Sequence, residues 1–295
     1  MALHAEFRLL SQSLLISIIA QYSIAPSIDL AMANLQSTFN EFQVALLNSK
    51  LVLNANKTKC MLFTRSLNIS AYDGIRTLNG EQINFVSTYK YLGIWLDAKL
   101  SFKQHIEQLT KKIKVKIGFL YRKKSCFSQS NRKTIVQAVI LPEFDYSDLL
   151  YMHAASAVLK PLDTVYHSAI RFITGDSFLT HHCTLYENVG WSSLTTRREL
   201  HCLQFIFKTL SGKGPEYLSS WLTAKPASHR TRSQTYISLC TPRINSDHGK
   251  SAFSFYAPDK WNKLQARLKL DNLISIASFK ALLVIELHKT CTCFV

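Results

Sequence analysis

Tyr89-Lys-Tyr-Leu-Gly-Ile-Trp-Leu-Asp97 is the stretch whose reading decides the fold. Aromatic and aliphatic residues crowd around a single glycine, so the segment reads as extended chain, and a helical period begins only at Leu100. Upstream lie further short β-like runs, Leu51 to Leu53, Cys60 to Thr64, Ile75 to Leu78 and Ile83 to Val86, with Tyr91 to Leu96 the last. Asn79-Gly80 separates two of them and predicts a two-residue turn in which both positions tolerate positive φ. Before the strands, Ser27 caps a helix in which Met32, Leu35, Phe39, Phe42 and Leu46 form one apolar stripe ending near Asn48.

After Leu100, Phe102, Ile106, Leu109, Ile113, Ile117 and Leu120 share a helical face, and Arg122, Lys123 and Lys124 place positive charge at that helix's negative end. A second helix is expected from Ser130, stopping before Pro142. Leu162, Val165, Ala169 and Phe172 predict another that ends at Gly175, and Leu200, Leu203, Phe207 and Leu210 one that ends at Gly212. Thr223 to Gly249 reads as a polar, basic loop, and Ser275 to Leu287 as a closing helix. The expected class is α+β: a helix on a small antiparallel sheet, followed by a mostly helical remainder.

Lysine and arginine outnumber aspartate and glutamate by 35 to 19 across 295 residues, a formal charge of +16, and the excess is spread along the chain. Such a surface suits a polyanion. A hydrophobic content of 47% is ample for a packed core and argues against disorder. The seven cysteines are odd in number and scattered, which fits a reducing compartment. Leu9 to Ala25 leans apolar, but Ser11, Gln12, Ser13, Ser17 and Gln21 interrupt it too often for a membrane span. A secreted reading would need glycans on the sequons at Asn56 or Asn68, and it is set aside. His181-His182-Cys183 and His201-Cys202 carry ligand-type side chains, but no Cys-x-x-Cys pair anchors them and Cys291-Thr-Cys293 has the wrong spacing for a zinc knuckle. No metal site is expected from these letters.

Leu51-Val-Leu-Asn-Ala-Asn-Lys-Thr-Lys-Cys-Met-Leu-Phe63 followed by Tyr91-Leu92-Gly93 resembles the palm end of LINE-type, jockey-like non-LTR retrotransposon reverse transcriptases, an "LNxxKT" element leading into a "YLG" primer-grip hairpin. Arg132 to Asp145, His167 to Gly175, Pro215 to Leu218, Arg230 to Ser233 and Trp261-Asn262 resemble later segments of the same family in the same order. The resemblance implies a palm remnant over 1–98, a helical thumb-like region over 99–175 and a helical C-terminal region over 176–295 with its basic loop near 223–249. It implies RNA and DNA as partners, held without sequence preference, no membrane, and a nuclear or cytoplasmic location.

The family's metal-binding Asp-Asp pair is expected near Leu15-Ile16-Ser17-Ile18, where no acid stands, and the earlier catalytic aspartate would precede Met1. The expectation is therefore a truncated, catalytically inactive chain with no catalytic residues and no cofactor, since the ligands for the family's Mg2+ are missing. Lys57 is the remnant that the family places beside the incoming nucleotide; read from its own neighbours, it sits in an Asn-rich turn. Tyr91, Leu92 and Gly93 are expected to be primer-grip-like, with Tyr89, Tyr91 and Trp95 able to stack on bases or to serve as core. The expected phosphate contacts are Lys103, Lys111, Lys112, Lys114, Lys116, Arg122, Lys123 and Lys124 on the thumb-like helix, where Glu107 is the one compensating acid, with Arg197, Arg198, Arg230 and Arg232 as a second basic region. The competing reading is a non-enzymatic, retrotransposon-derived protein that acts only through protein contacts or has no cellular role.

Overall fold

The computed structural model describes residues 20–63, 74–225 and 236–287. Thr64, Asn68, the Leu15 to Ile18 positions, Arg230, Arg232, Cys291 and Cys293 lie outside the described residues. The class is α+β, and the chain divides into two compact units, Met1–Tyr89 and Lys90–Val295.

In the first unit, α1 (Ile28–Asn48) starts at Ser27, whose hydroxyl accepts from Leu30 N at 3.3 Å, and ends where the sequence predicts. Its Phe39 packs with Cys60, Ile75 and Ile83 into a small core. β1 (Ile75–Arg76) pairs antiparallel with β2 (Gln82–Ile83). The connecting turn differs from expectation. Gly80 N bonds to Thr77 O at 2.9 Å, and Gly80 alone in the turn takes positive φ, +82°. Leu78 and Asn79 therefore fill an ordinary turn and Gly80 follows it in the left-handed region, a longer loop than a two-residue hairpin. Leu51 to Leu53 forms no strand, and Cys60 contributes a single bridge to Phe85. Gln36 from α1 accepts from Arg76 N at 2.7 Å and donates to Arg76 O at 2.8 Å, while Gln43 accepts from Leu78 N at 3.0 Å. Two helix side chains thus satisfy an edge that would otherwise invite pairing with another chain.

Next along the chain is a hairpin, β3 (Thr88–Tyr91) and β4 (Ile94–Asp97). The β-like run Tyr91 to Leu96 is therefore bent back on itself at Tyr91-Leu92-Gly93, where the resemblance implies a hairpin. Leu92 (φ 46°) and Gly93 (φ 87°) form its two-residue turn, and positive φ at both positions matches the right-handed twist of the strands. Asp97 then gathers the chain: its carboxylate accepts from Lys99 N, Ser101 N, the Ser101 hydroxyl and Phe102 N at 2.9–3.1 Å. Those bonds hold Leu100 and Phe102 at φ values of 51° and 57°, strained for residues with a Cβ, immediately before α2 (Lys103–Arg122). Asp97→Ala is expected to lower stability by about 2 kcal/mol, read as a loss of urea midpoint, because four donors lose one charged acceptor. Asp97→Asn, which keeps an acceptor, should lose less.

Helix α3 (Gln129–Ile135) does not stop before Pro142. It passes through a π turn, Val136–Ile140, into α4 (Leu141–Asp145), and Pro142 sits in the first turn of α4. The wider turn explains the continuity: proline lacks an N–H and crowds the carbonyl one turn back, and the π segment makes room at that point. After α5 (Asp148–Tyr151) come α6 (Ser156–Thr174), closed by Gly175 at φ 84°, and α7 (His182–Val189). Helices α2, α4, α6 and α7 share one core around Ile113, Ile140, Ala169 and Ile170, all fully buried. The remaining helices are α8 (Leu194–Leu210), α9 (Glu216–Ser219), α10 (Asp247–Lys250), α11 (Phe253–Leu268) and α12 (Ile276–Leu287). Of these, α8, α11 and α12 enclose a second core in which Phe207 stacks on Phe279 at 4.1 Å beside Trp261. Among the described residues, no helix is long and apolar enough to cross a membrane.

Candidate nucleic-acid interface

Successive residues of an α-helix turn by about 100°, so the basic residues of α2 fall on two flanks of its buried face. On one flank, Lys103, Lys111 and Lys114 border a groove of about 700 Å³ between α2 and α6, floored by Ile106, Val158 and Pro161. All three lysines are exposed, and Glu107 is the acid that shares their groove. On the other flank, Lys112 and Lys116 both reach Glu143 of α4, Lys112 at 2.7 Å. Burial alone would raise the Glu143 pKa, but hydrogen bonds and charge from Lys112 and Lys116 outweigh it and hold the carboxyl below its ordinary value. The charge balance read from sequence, with Glu107 alone opposing the helix, is therefore corrected: Glu143, distant in sequence, neutralises part of the second flank. Lys123 and Arg122 are exposed at the end of α2, Arg122 beside the Phe119 ring and Lys124 over the Tyr121 ring.

The hairpin stands next to this helix. Tyr146 donates to Leu92 O at 2.6 Å, and a Cβ on Gly93 would lie 3.3 Å from the Tyr146 ring, so the turn is braced by a side chain 54 residues away in sequence. Gly93, Trp95, Lys90, His105, Gln108 and Tyr146 line a cleft of about 580 Å³. His105 is 6% exposed, its ring lies 5.3 Å from that of Tyr151, and its Nε2 has no hydrogen-bond partner. Tyr89, Tyr91 and Trp95 are each half-buried.

Burial, with the positive charge of Lys90 adding to it, lowers the His105 pKa, and burial with Lys260 does the same for His153. A histidine whose folded pKa lies below its unfolded value of 6.5 leaves the unfolded chain binding more protons, so stability is lost as pH falls through and below that value. Glu143 adds the same sign at lower pH, whereas Asp163, raised by burial, opposes it. The expected outcome is a lower melting temperature at about pH 5.5 than at about pH 7.5. A rise on acidification would contradict these assignments.

Arg197 and Arg198 are turned into the fold. Arg197 makes two bonds to the Asp145 carboxylate, at 2.5 and 2.6 Å, which raise its pKa further, and Arg198 is 6% exposed. Neither guanidinium is presented to a phosphate in this conformation, contrary to the surface role expected from the Arg-Arg pair. Lys57 is exposed on a turn organised by Asn54, whose side chain and carbonyl both accept from Lys57 N at 3.1 Å.

Three curated relatives bear on this arrangement. The chain is 26% identical over 119 residues to a probable RNA-directed DNA polymerase from transposon X-element of Drosophila melanogaster. It is 28% identical over 144 residues to the RNA-directed DNA polymerase from mobile element jockey of Drosophila funebris, and 29% identical over 152 residues to that of Drosophila melanogaster. This chain is similar to a region of LINE-type reverse transcriptases. The matches cover 39%, 48% and 50% of this chain but only 13%, 15% and 16% of the relatives, so it spans a small part of their length. No protein-family model matches.

A LINE-type polymerase works with divalent cations held by carboxylates, and the described residues do not fit that role. The one gathered group among them that contains carboxylates is Asp145, Asp148 and His201. Asp145 is engaged by the Arg197 guanidinium and Asp148 by His201 Nδ1 at 2.6 Å, so the oxygens a magnesium ion needs already serve the fold.

Proposed function

We propose that this chain is a nucleic-acid-gripping part of a LINE-type reverse transcriptase, holding a template–primer duplex by its phosphates without reading sequence and joining no nucleotides through its own residues. The observation that carries this reading is the flank of Lys103, Lys111 and Lys114 along an open groove, on a chain of charge +16. Lysines spaced along a helix meet a regular phosphate row as point charges, which gives affinity and register but no base discrimination. The positive-φ turn at Leu92-Gly93 supports the same reading, since it brings bare backbone to a rim beside Lys90. RNA and DNA are then the partners, the place of action is the nucleus or cytoplasm, and no metal cofactor enters this gripping role.

Titration of a labelled RNA–DNA hybrid against the chain over a salt series tests the reading. Affinity should fall linearly on a log–log plot against salt and be the same for unrelated sequences. Binding that is absent, or indifferent to salt, would refute it. Primer extension with magnesium or manganese should give no incorporation above a control, and incorporation would overturn the inactive assignment.

A further inference from the structure

We infer that His181, His182 and Cys183, at the start of α7, form a binding site for a borderline-soft transition-metal ion, zinc above all. One ligand atom from each of the three lies within 4.8 Å of the others, close enough for a single ion to draw them in. Two imidazoles and a thiolate are a donor set that selects zinc-like ions over magnesium or calcium. With three protein ligands, the tetrahedral fourth position falls to water or an incoming group.

The surroundings orient the rings. His167 on α6 stacks parallel to His182, centroids 5.6 Å apart and planes 13° from parallel, and its Nε2 is fixed by the Tyr186 hydroxyl at 2.7 Å. The His181 ring lies 4.1 Å from that of His182. His181 Nδ1 accepts from Cys183 N at 3.4 Å, a long cap that can yield to a metal bond or persist beside one through the second ring nitrogen. The group of Asp145, Asp148 and His201 differs in kind: its Asp145 carboxylate is spent on a guanidinium, whereas Cys183 carries a free, half-exposed thiol. The sequence shows the three as ligand-type side chains, but without a Cys-x-x-Cys pair motif reading sets them aside.

The test is site-resolved alkylation of the full chain, followed by mass spectrometry, with and without zinc ions. Zinc should slow modification of Cys183 at least about tenfold and leave exposed Cys126 unchanged. Cobalt(II) should give a tetrahedral d–d envelope with a thiolate charge-transfer band. Cys183→Ser should abolish that band and His182→Gln weaken cobalt binding, with the circular dichroism of both unchanged. Equal labelling of Cys183 with and without zinc, protection shared by Cys126, or a charge-transfer band that survives Cys183→Ser would each overturn the site.

Discussion

Changing Lys103, Lys111 and Lys114 together to glutamate should reduce affinity for an RNA–DNA hybrid on the order of 100-fold at moderate salt, and flatten the log–log salt slope by about 0.9 for each phosphate that is no longer neutralised. The effect is large because the three positions share one groove, so reversal turns an attractive rim into a repulsive one and leaves Glu107 to reinforce it. Stability should change little, since all three are exposed. The matching change on the other flank, Lys112→Gln with Lys116→Gln, should behave oppositely. It leaves binding nearly intact but strips Glu143 of both its cations, at a cost of about 1 kcal/mol. Filter binding and urea unfolding of the two variants separate these outcomes. Equal loss of binding from either flank would remove the reason for assigning the groove.

Trp261→Ala should be the most destabilising single change in the second core, by about 3–5 kcal/mol in equilibrium unfolding. The ring is fully buried beside the stacked pair Phe207 and Phe279, and its Nε1 donates to Ile237 O at 3.0 Å. The neighbouring Asn262 amide accepts from Leu239 N at 2.8 Å and donates to Leu239 O at 2.9 Å, so this Trp-Asn pair fastens the segment before α10 onto α11. Asn262→Ala should cost less, about 2 kcal/mol, because it removes bonds but little volume. A loss below about 1 kcal/mol for Trp261→Ala would mean that this core is not cooperative.

The helices with a strong period were legible. Ser27 and Asn48 bound α1, Gly175 closes α6, and the buried face of α2 is the one that Ile106, Ile113 and Ile117 mark out. Legibility failed where backbone geometry or long-range pairing decides. Leu92 carries a β-compatible side chain, so nothing local announces that it takes the left-handed region; the Tyr146 bond from 54 residues away helps to hold it there. Pro142 looks like a stop, and the π turn that accommodates it leaves no trace in composition. Arg197 looks like a surface charge until Asp145, 52 residues upstream, is brought to it. Glu143 likewise meets Lys112 and Lys116 only once α4 lies against α2. Charge and family resemblance suggest a polyanion as the proposed partner; the fold decides which lysines are exposed to one.

The most direct measurement is lysine footprinting. The chain is acetylated briefly with and without a saturating RNA–DNA hybrid, and the modified positions are quantified by mass spectrometry. Lys103, Lys111 and Lys114 should be protected together, while Lys112 and Lys116 keep the reactivity that Glu143 sets. Protection centred on Lys112 and Lys116, or none on α2, would contradict the gripping role assigned to this helix.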